Sequence, residues 1–177
     1  LDWSVHAGGF RSKDVAYVPM IRLPEGKPYP GVAELRTVVR ELPGSLWLIG
    51  NEPDVRWQDN VPPEVYVQVY HDLYTLLKTL DPTCRVAIGG VSQPTPLRLR
   101  YLDLILEAYR EQYGQAMPVD VWNVHNFILR EERDSWGVDI PPGLAEQTGV
   151  LREIADHDSM EIFRQQIVDF RRWMKER

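Results

Sequence analysis

The chain has 177 residues, of which 44% are hydrophobic and 26% are charged, and its formal net charge at pH 7 is −6. This length and composition suit one globular domain, or part of a larger one, with a sizeable buried core. The acidic balance, with basic residues gathered only near 171–177, argues against nucleic acid as a partner. No apolar run approaches the roughly 20 residues of a membrane span, so no membrane association is expected.

Short apolar runs alternate with stretches of helical spacing along the whole chain. The predicted strands are a partial one at 1–6 and complete ones at 15–23, 45–50, 84–92 and 119–127. The predicted helices cover 31–42, run from Pro62–Pro63 to Leu80, surround 102–109 and begin at Asp158, with a further short helix within 144–157. Cys84, at the start of one strand, is expected to be a small buried apolar residue.

This alternation predicts a parallel sheet with helices outside it, and both an open doubly wound sheet and a (β/α)8 barrel fit the pattern. No glycine-rich phosphate loop follows a strand, which weighs against a nucleotide-binding fold. A whole barrel typically needs ~250 residues. We therefore expect 1–177 to be one α/β domain that is too short to be a whole barrel.

Polar and aromatic side chains gather where the predicted strands end. They are Trp3 and His6, Met20 and Arg22, Asn51 and Glu52, Ser92 and Gln93, and His125, Asn126 and Phe127. Because parallel α/β folds place their sites at the carboxyl ends of strands, these groups are expected to meet on one rim. Amides and carboxylates bind hydroxyl groups and aromatic faces stack on sugar rings, so we expect an oligo- or polysaccharide ligand.

Glu52 is the candidate with the most specific chemical role, and two interpretations of it are open. Its carboxylate could cap the next helix, although the loop from Asp54 to Pro63 places it far from that helix. Alternatively, it is a general acid/base, and the neighbouring Asn51 orients the substrate.

The other candidates also carry two interpretations each. His125 is either a satisfied structural histidine or a substrate-binding group, and no second residue has the spacing of a metal ligand to it. Trp57 and Trp136 lie in loops predicted at the same rim. Each is either a platform on which a sugar ring stacks or a residue that packs within its loop. Trp3, Trp122, Gln93 and Asn126 complete the predicted substrate-binding set. Consecutive charges at Glu131, Glu132 and Asp134 favour a solvated loop.

Asn51-Glu52-Pro53 at the end of an apolar strand resembles the acid/base signature of clan A glycoside hydrolases. The run "YVPMIRL" is similar to the preceding strand of the endo-β-1,3-glucanase-like group, "LIGNEPD" to its acid/base strand, and "VDVWNVHNF" to its sixth strand. The resemblance covers most of the chain and is weak in the helices. It implies that 1–177 is a domain of the (β/α)8 TIM-barrel type, a partial barrel lacking the last strands and part of the first. In such a barrel, Asn51 binds a sugar 2-hydroxyl and Glu52 is the acid/base of a retaining reaction, with no cofactor and no metal.

Two departures from that group bear on the chemistry. Phe127 stands where the clan usually has the tyrosine that supports the nucleophile. The nucleophilic glutamate of the clan ends a seventh strand that this sequence does not contain, so it is expected to come from beyond residue 177. Two functions stay open: a glycoside hydrolase cleaving β-glycosidic bonds, or a partial barrel that binds carbohydrate without hydrolysis. Unpaired sheet edges would favour a homo-oligomer in either case.

Overall fold

The computed structural model describes Val5, Asp14 and residues 16–177 of the chain. Its strands are β1 (Met20–Ile21), β2 (Leu46–Asn51) and β3 (Arg85–Gly90). Its helices are α1 (Val32–Glu41), α2 (Pro63–Leu80), α3 (Pro96–Tyr113) and α4 (Met160–Lys175), with 3-10 turns at Pro24–Gly26 and Ile154–Asp156. The partial strand predicted at 1–6 lies outside the described residues except for Val5, which is buried.

The three strands form one parallel sheet in the order β1-β2-β3, as the alternating sequence predicted. The segment 119–127 continues this sheet beyond β3 and also runs parallel to it. Two bridges join them, Ala87 with Val121 and Val91 with Val124. The pairing is reduced to these bridges partly because the side chain of Asp120 accepts the Val86 N–H at 2.8 Å. The predicted strand at 119–127 is therefore in place, but as a sparse ladder.

One face of the sheet carries a row of apolar side chains, one from each strand. Met20 pairs with Leu48, Leu48 with Ala87, and Ala87 with Val121. These residues form a small cluster separate from the main core, which lies between the opposite face and the helices. A parallel sheet with an apolar row on one face and helices on the other is the wall of a (β/α) barrel.

The ladder between β2 and β3 is interrupted at Gly50, whose φ of +91° is unfavourable for other residues. The hydroxyl of Tyr66, from α2, enters this gap, where it donates to the Ile49 carbonyl at 2.7 Å and accepts the Gly89 N–H at 2.8 Å. Burial raises the pKa of Tyr66 well above its ordinary value, so the hydroxyl keeps its proton. The helix layer is thus hydrogen-bonded to the sheet just below the strand ends.

Several predicted boundaries were wrong for identifiable reasons. The strand predicted at 15–23 stops at Ile21, because the Arg22 backbone turns to pair with Tyr29. The last helix is capped by Ser159 and not by Asp158, since the Ser159 hydroxyl accepts the Ile162 N–H. The segment 144–157 forms only the 3-10 turn, which carries its own capping box.

Cys84 is buried, as its strand position predicted. Among the helices that the structure describes, none is both long and apolar enough to cross a membrane.

Candidate active site

Glu52 stands at the carboxyl end of β2 in an unusual backbone conformation. Its φ is +45°, in the left-handed region that costs a non-glycine residue about 1–3 kcal/mol. The surroundings hold this conformation, because the Glu52 N–H donates to the Gly90 carbonyl and the Glu52 carbonyl accepts the Val55 N–H, both at 3.0 Å. The capping interpretation of Glu52 is wrong, since α2 starts only at Pro63 and no side chain caps it.

The Glu52 carboxylate meets the imidazole of His125 across the end of β3. Oε1 of Glu52 lies 2.6 Å from Nδ1 of His125, and the Glu52 residue is only 8% exposed. The backbone N–H of His125 donates to the carbonyl of Val91, the residue after β3, at 3.0 Å, so the backbones of both residues are hydrogen-bonded at the end of β3. A short contact between a carboxyl group and an imidazole can pass or share a proton, which is the property required of an acid/base group.

Gly90 leaves the space that this pair occupies. A Cβ at position 90 would lie 2.8 Å from Nδ2 of Asn123 and 3.0 Å from Cδ2 of His125. Asn123 and His125 are two residues apart and face the same side of their strand. Asn123 was not among the predicted site residues, although period-two alternation from His125 places it on the same face.

Asn51 is buried and held by the loop that follows it. Its backbone N–H donates to Oδ2 of Asp59 at 2.6 Å, and its side-chain amide donates to Oε1 of Gln58 at 3.2 Å. Asp59 also accepts the Leu23 N–H at 2.9 Å and Nε of Arg22 at 2.7 Å. Asp59 therefore ties the ends of β1 and β2 together, a role that its place in an irregular loop gave no local signal for.

The loop carboxylate Glu131 is not solvated as expected. It is fully buried and accepts hydrogen bonds from the guanidinium of Arg98 and from the hydroxyl of Thr95. Its neighbours on the loop behave differently: Glu132 pairs with Arg130, and Asp134 pairs with Arg56 while remaining exposed. The prediction failed at Glu131 because its cationic partner lies 33 residues earlier in the chain.

Three of the predicted substrate-binding side chains have structural partners. The Gln93 amide donates to the Leu129 carbonyl and accepts the Leu129 N–H. Asn126 donates to the Phe163 carbonyl and accepts from Gln166 of α4. Trp122 packs edge-on against Trp173 of α4, with ring centroids 5.0 Å apart. These contacts hold Gln93 against the segment around Leu129, and Asn126 and Trp122 against α4.

The remaining aromatic candidates lie at the surface. Trp57 is 67% exposed, with the Arg56 guanidinium 5.0 Å above its ring. Trp136 is 41% exposed and lies beside His157, and Phe127 packs edge-on against His125. Trp3 and His6 lie outside the described residues. Over the described part of the chain, no group of three metal-ligating side chains comes together.

Comparison with solved structures places this geometry in a known fold. A GH128 (subgroup II) endo-β-1,3-glucanase from Pseudomonas viridiflava matches with a TM-score of 0.55, at 16% identity over 93% of this chain and 65% of its own. A GH128 (subgroup III) curdlan-specific exo-β-1,3-glucanase from Blastomyces gilchristii, in complex with glucose, matches with a TM-score of 0.52, at 25% identity over 70% of this chain and 49% of its own. The fold is that of the GH128 β-1,3-glucanases.

The chain spans about half of one of these GH128 enzymes and about two thirds of the other. No protein-family model and no curated protein matches it. The GH128-like fold confirms the resemblance to TIM-barrel glycoside hydrolases that the Asn51-Glu52-Pro53 motif indicated. It also accounts for the partial barrel wall, since the described strands form only one sector of such a barrel.

Proposed function

We propose that this chain is part of a glycoside hydrolase that cleaves β-glycosidic bonds, with Glu52 as the acid/base. The observation that carries the proposal is the 2.6 Å contact between Glu52 and His125 at the carboxyl edge of the sheet. In a barrel of this type, that edge is where catalytic residues stand. The GH128 fold supports a β-1,3-glucan as the substrate class.

In the proposed reaction, Glu52 protonates the glycosidic oxygen as the bond to the leaving sugar breaks. Glu52 then takes a proton from the water that attacks the anomeric carbon. His125 fixes the carboxyl group and forms a hydrogen bond with it in either protonation state, because an imidazole nitrogen can donate or accept. Asn51 presents its amide beside Glu52 to a sugar hydroxyl.

Retention of configuration requires a second carboxyl group about 5–5.5 Å from the first. Three buried carboxylates flank the strand ends, and each already has an arginine partner: Asp54 and Glu131 pair with Arg98, and Asp59 pairs with Arg22. These three are unsuited to attack an anomeric carbon, because each is buried and already accepts hydrogen bonds from an arginine and from other donors. We therefore propose that the nucleophile is another residue of the complete barrel.

The exposed indole of Trp57 favours a second function, carbohydrate binding without hydrolysis. The Trp57 side chain is exposed, and the Arg56 guanidinium lies over its ring. Aromatic rings of this kind can stack on sugar rings whether or not a bond is cleaved. In this case Asn51, Glu52 and His125 would bind hydroxyl groups and Trp57 would supply the stacking surface.

The deciding experiment measures reducing-sugar release from curdlan and laminari-oligosaccharides by the complete barrel that supplies the proposed nucleophile, with the 177-residue chain alone measured beside it. Glu52→Gln is the test variant, and Glu153→Gln, which changes a carboxylate with 63% side-chain exposure, is the matched control. The enzyme proposal expects the complete barrel to be active and the 177-residue chain alone to be inactive, because the chain alone lacks the proposed nucleophile. In the complete barrel, Glu52→Gln should lower the activity by at least about 100-fold, in line with loss of general acid–base catalysis. Glu153→Gln is expected to be unchanged.

Two further results separate the candidates. With an aryl β-glucoside, whose leaving group needs no protonation, Glu52→Ala is expected to recover bond cleavage, and added azide is expected to accelerate turnover of the glycosyl-enzyme. A folded complete barrel that binds laminari-oligosaccharides but releases no sugar would support the binding function instead. Absence of both binding and hydrolysis would refute both.

A further inference from the structure

Beneath the proposed site lies a buried ionic cluster centred on Arg98, in the first turn of α3. The Arg98 side chain is fully buried, yet every nitrogen of its guanidinium has an acceptor. Nε donates to Oδ2 of Asp54 and to Oγ of Ser92, both at 2.7 Å. Nη1 donates to Glu131, and Nη2 donates at 3.0 Å to the carbonyls of residues 138 and 139.

These acceptors come from three different loops at the carboxyl edge of the sheet. Asp54 lies in the loop after β2, two residues beyond Glu52, and Ser92 follows β3. Glu131 lies in the long segment after residue 127, which also carries Trp136. Arg98 is therefore one group that joins the loop bearing the proposed acid/base, the end of the neighbouring strand and the loop bearing a candidate sugar platform.

The Asp54 carboxylate links the Arg98 cluster to the turn that contains Glu52. It accepts both the N–H and the hydroxyl of Ser92, the latter at 2.7 Å, in addition to Nε of Arg98. Burial raises the pKa of Asp54, and the Arg98 charge opposes that rise. With Asp54 bonded to Ser92 just after β3, the turn from Glu52 to Val55 is tied to this part of the chain at two points, since the Glu52 N–H is already bonded to Gly90.

A buried pair of charges is not an efficient way to stabilise a fold, because apolar side chains of similar volume often do as well or better. The Arg98 cluster has a different property, which is that it fixes the relative positions of three loops. Glu52 needs such support, since its left-handed backbone is unfavourable without it.

We propose that Arg98 is a positioning residue, which acts through Asp54 to hold Glu52 in its left-handed conformation against His125. The proposal rests on the proposed function for its catalytic consequence, but the placement of Glu52 is measurable without catalysis. The neighbouring Arg100 provides a matched control, because it is on the same helix, is 57% exposed and pairs with Glu146 at the surface.

The test compares Arg98→Lys and Asp54→Asn with Arg100→Met in the 177-residue chain. Lysine keeps the charge but cannot span the separate acceptors, and asparagine keeps the shape of Asp54 without its charge. The main readout is the imidazole N–H proton resonance of His125 in NMR spectra, identified by its loss in His125→Gln and its shift in Glu52→Gln. A bond to a carboxylate moves this resonance downfield, so it reports the Glu52 contact directly.

We expect the two test variants to remain folded and to shift the His125 resonance towards its position in Glu52→Gln, while Arg100→Met leaves it unchanged. Where hydrolysis is measurable, kcat should fall roughly 10- to 100-fold with a smaller change in KM, as for a displaced catalytic group. An unchanged His125 resonance in folded variants would overturn the proposal. Unfolding of both variants would overturn it as well, since Arg98 would then serve stability alone. If the wild type hydrolyses nothing, the NMR result still decides the role of Arg98.

Discussion

Gly90 is the position at which one added methyl group should test the geometry of the site. An alanine Cβ there would lie 2.8 Å from Nδ2 of Asn123 and 3.0 Å from Cδ2 of His125. The first distance is shorter than real Cβ contacts, so Asn123 must move, and the His125 ring must give by a few tenths of an ångström. Overpacking of this kind typically costs about 1–3 kcal/mol.

Gly89→Ala and Gly31→Ala bracket this expected cost. At Gly89 the new Cβ would lie 2.7 Å from the Ile49 carbonyl oxygen, which is backbone and cannot rotate away, so we expect a loss of about 3 kcal/mol or more. At Gly31 the Cβ meets nothing within 4 Å, and the expected change is within about 0.5 kcal/mol.

Urea denaturation of the three variants gives the free energies of unfolding, and NMR gives the His125 resonance in each. We expect the destabilisation to rise in the order Gly31→Ala, Gly90→Ala, Gly89→Ala, and Gly90→Ala to shift the His125 resonance. A Gly90→Ala protein with wild-type stability and an unshifted His125 resonance would refute the reasoning, because the methyl group would then have found room without moving the pair.

Two other variants test the support of the sheet. Tyr66→Phe removes the hydroxyl that joins Ile49 to Gly89, and we expect a loss of about 2–3 kcal/mol in the free energy of unfolding, because two buried backbone groups lose their partner; a loss below about 0.5 kcal/mol would contradict this. Although burial alone would raise the pKa of Asp81, hydrogen bonds from Thr83 and neighbouring backbone N–H groups lower it overall. A lowered folded-state pKa gives stability that is present above the unfolded value of about 3.9 and is lost as the pH falls through the folded value. Thermal unfolding of Asp81→Asn and wild type should therefore differ most near pH 7 and converge below about pH 3; a constant difference would exclude this linkage.

The sequence predicted the strand ends well and the partners of the side chains there poorly. The apolar run before Asn51 is short and is bounded by Pro43-Gly44 and Gly50, which favours a buried strand, so the local pattern placed Glu52 at the end of that strand. The same reasoning placed His125 near the end of the predicted strand 119–127, which is two strands after β2. Alternation along 119–127 also separates His125 from Trp122, which faces α4, and this signal was present although the substrate-binding prediction for Trp122 did not use it.

What could not be predicted depends on contacts between distant parts of the chain. Glu131 lies among charged residues that resemble a solvated loop, and nothing near it indicates that Arg98 will be buried opposite it. Asp59 is one polar residue in an irregular loop, and its three donors are Arg22 and Leu23, just after β1, and Asn51, at the end of β2. The positive φ of Glu52 is equally invisible locally, because glutamate is not a residue that favours it.

Under the proposed function, the left-handed backbone at Glu52 sets the stability of the fold against the catalytic role of the same residue. Glycine or asparagine would adopt φ +45° at less cost than glutamate, so either should relax the end of β2 even though the bond to His125 is lost. Glu52→Gln keeps the unfavourable backbone, whereas Glu52→Gly removes it together with the side chain. Selection for heat resistance alone would accordingly be expected to discard this glutamate, and its presence is better explained by what the carboxyl group does than by what it adds to the fold.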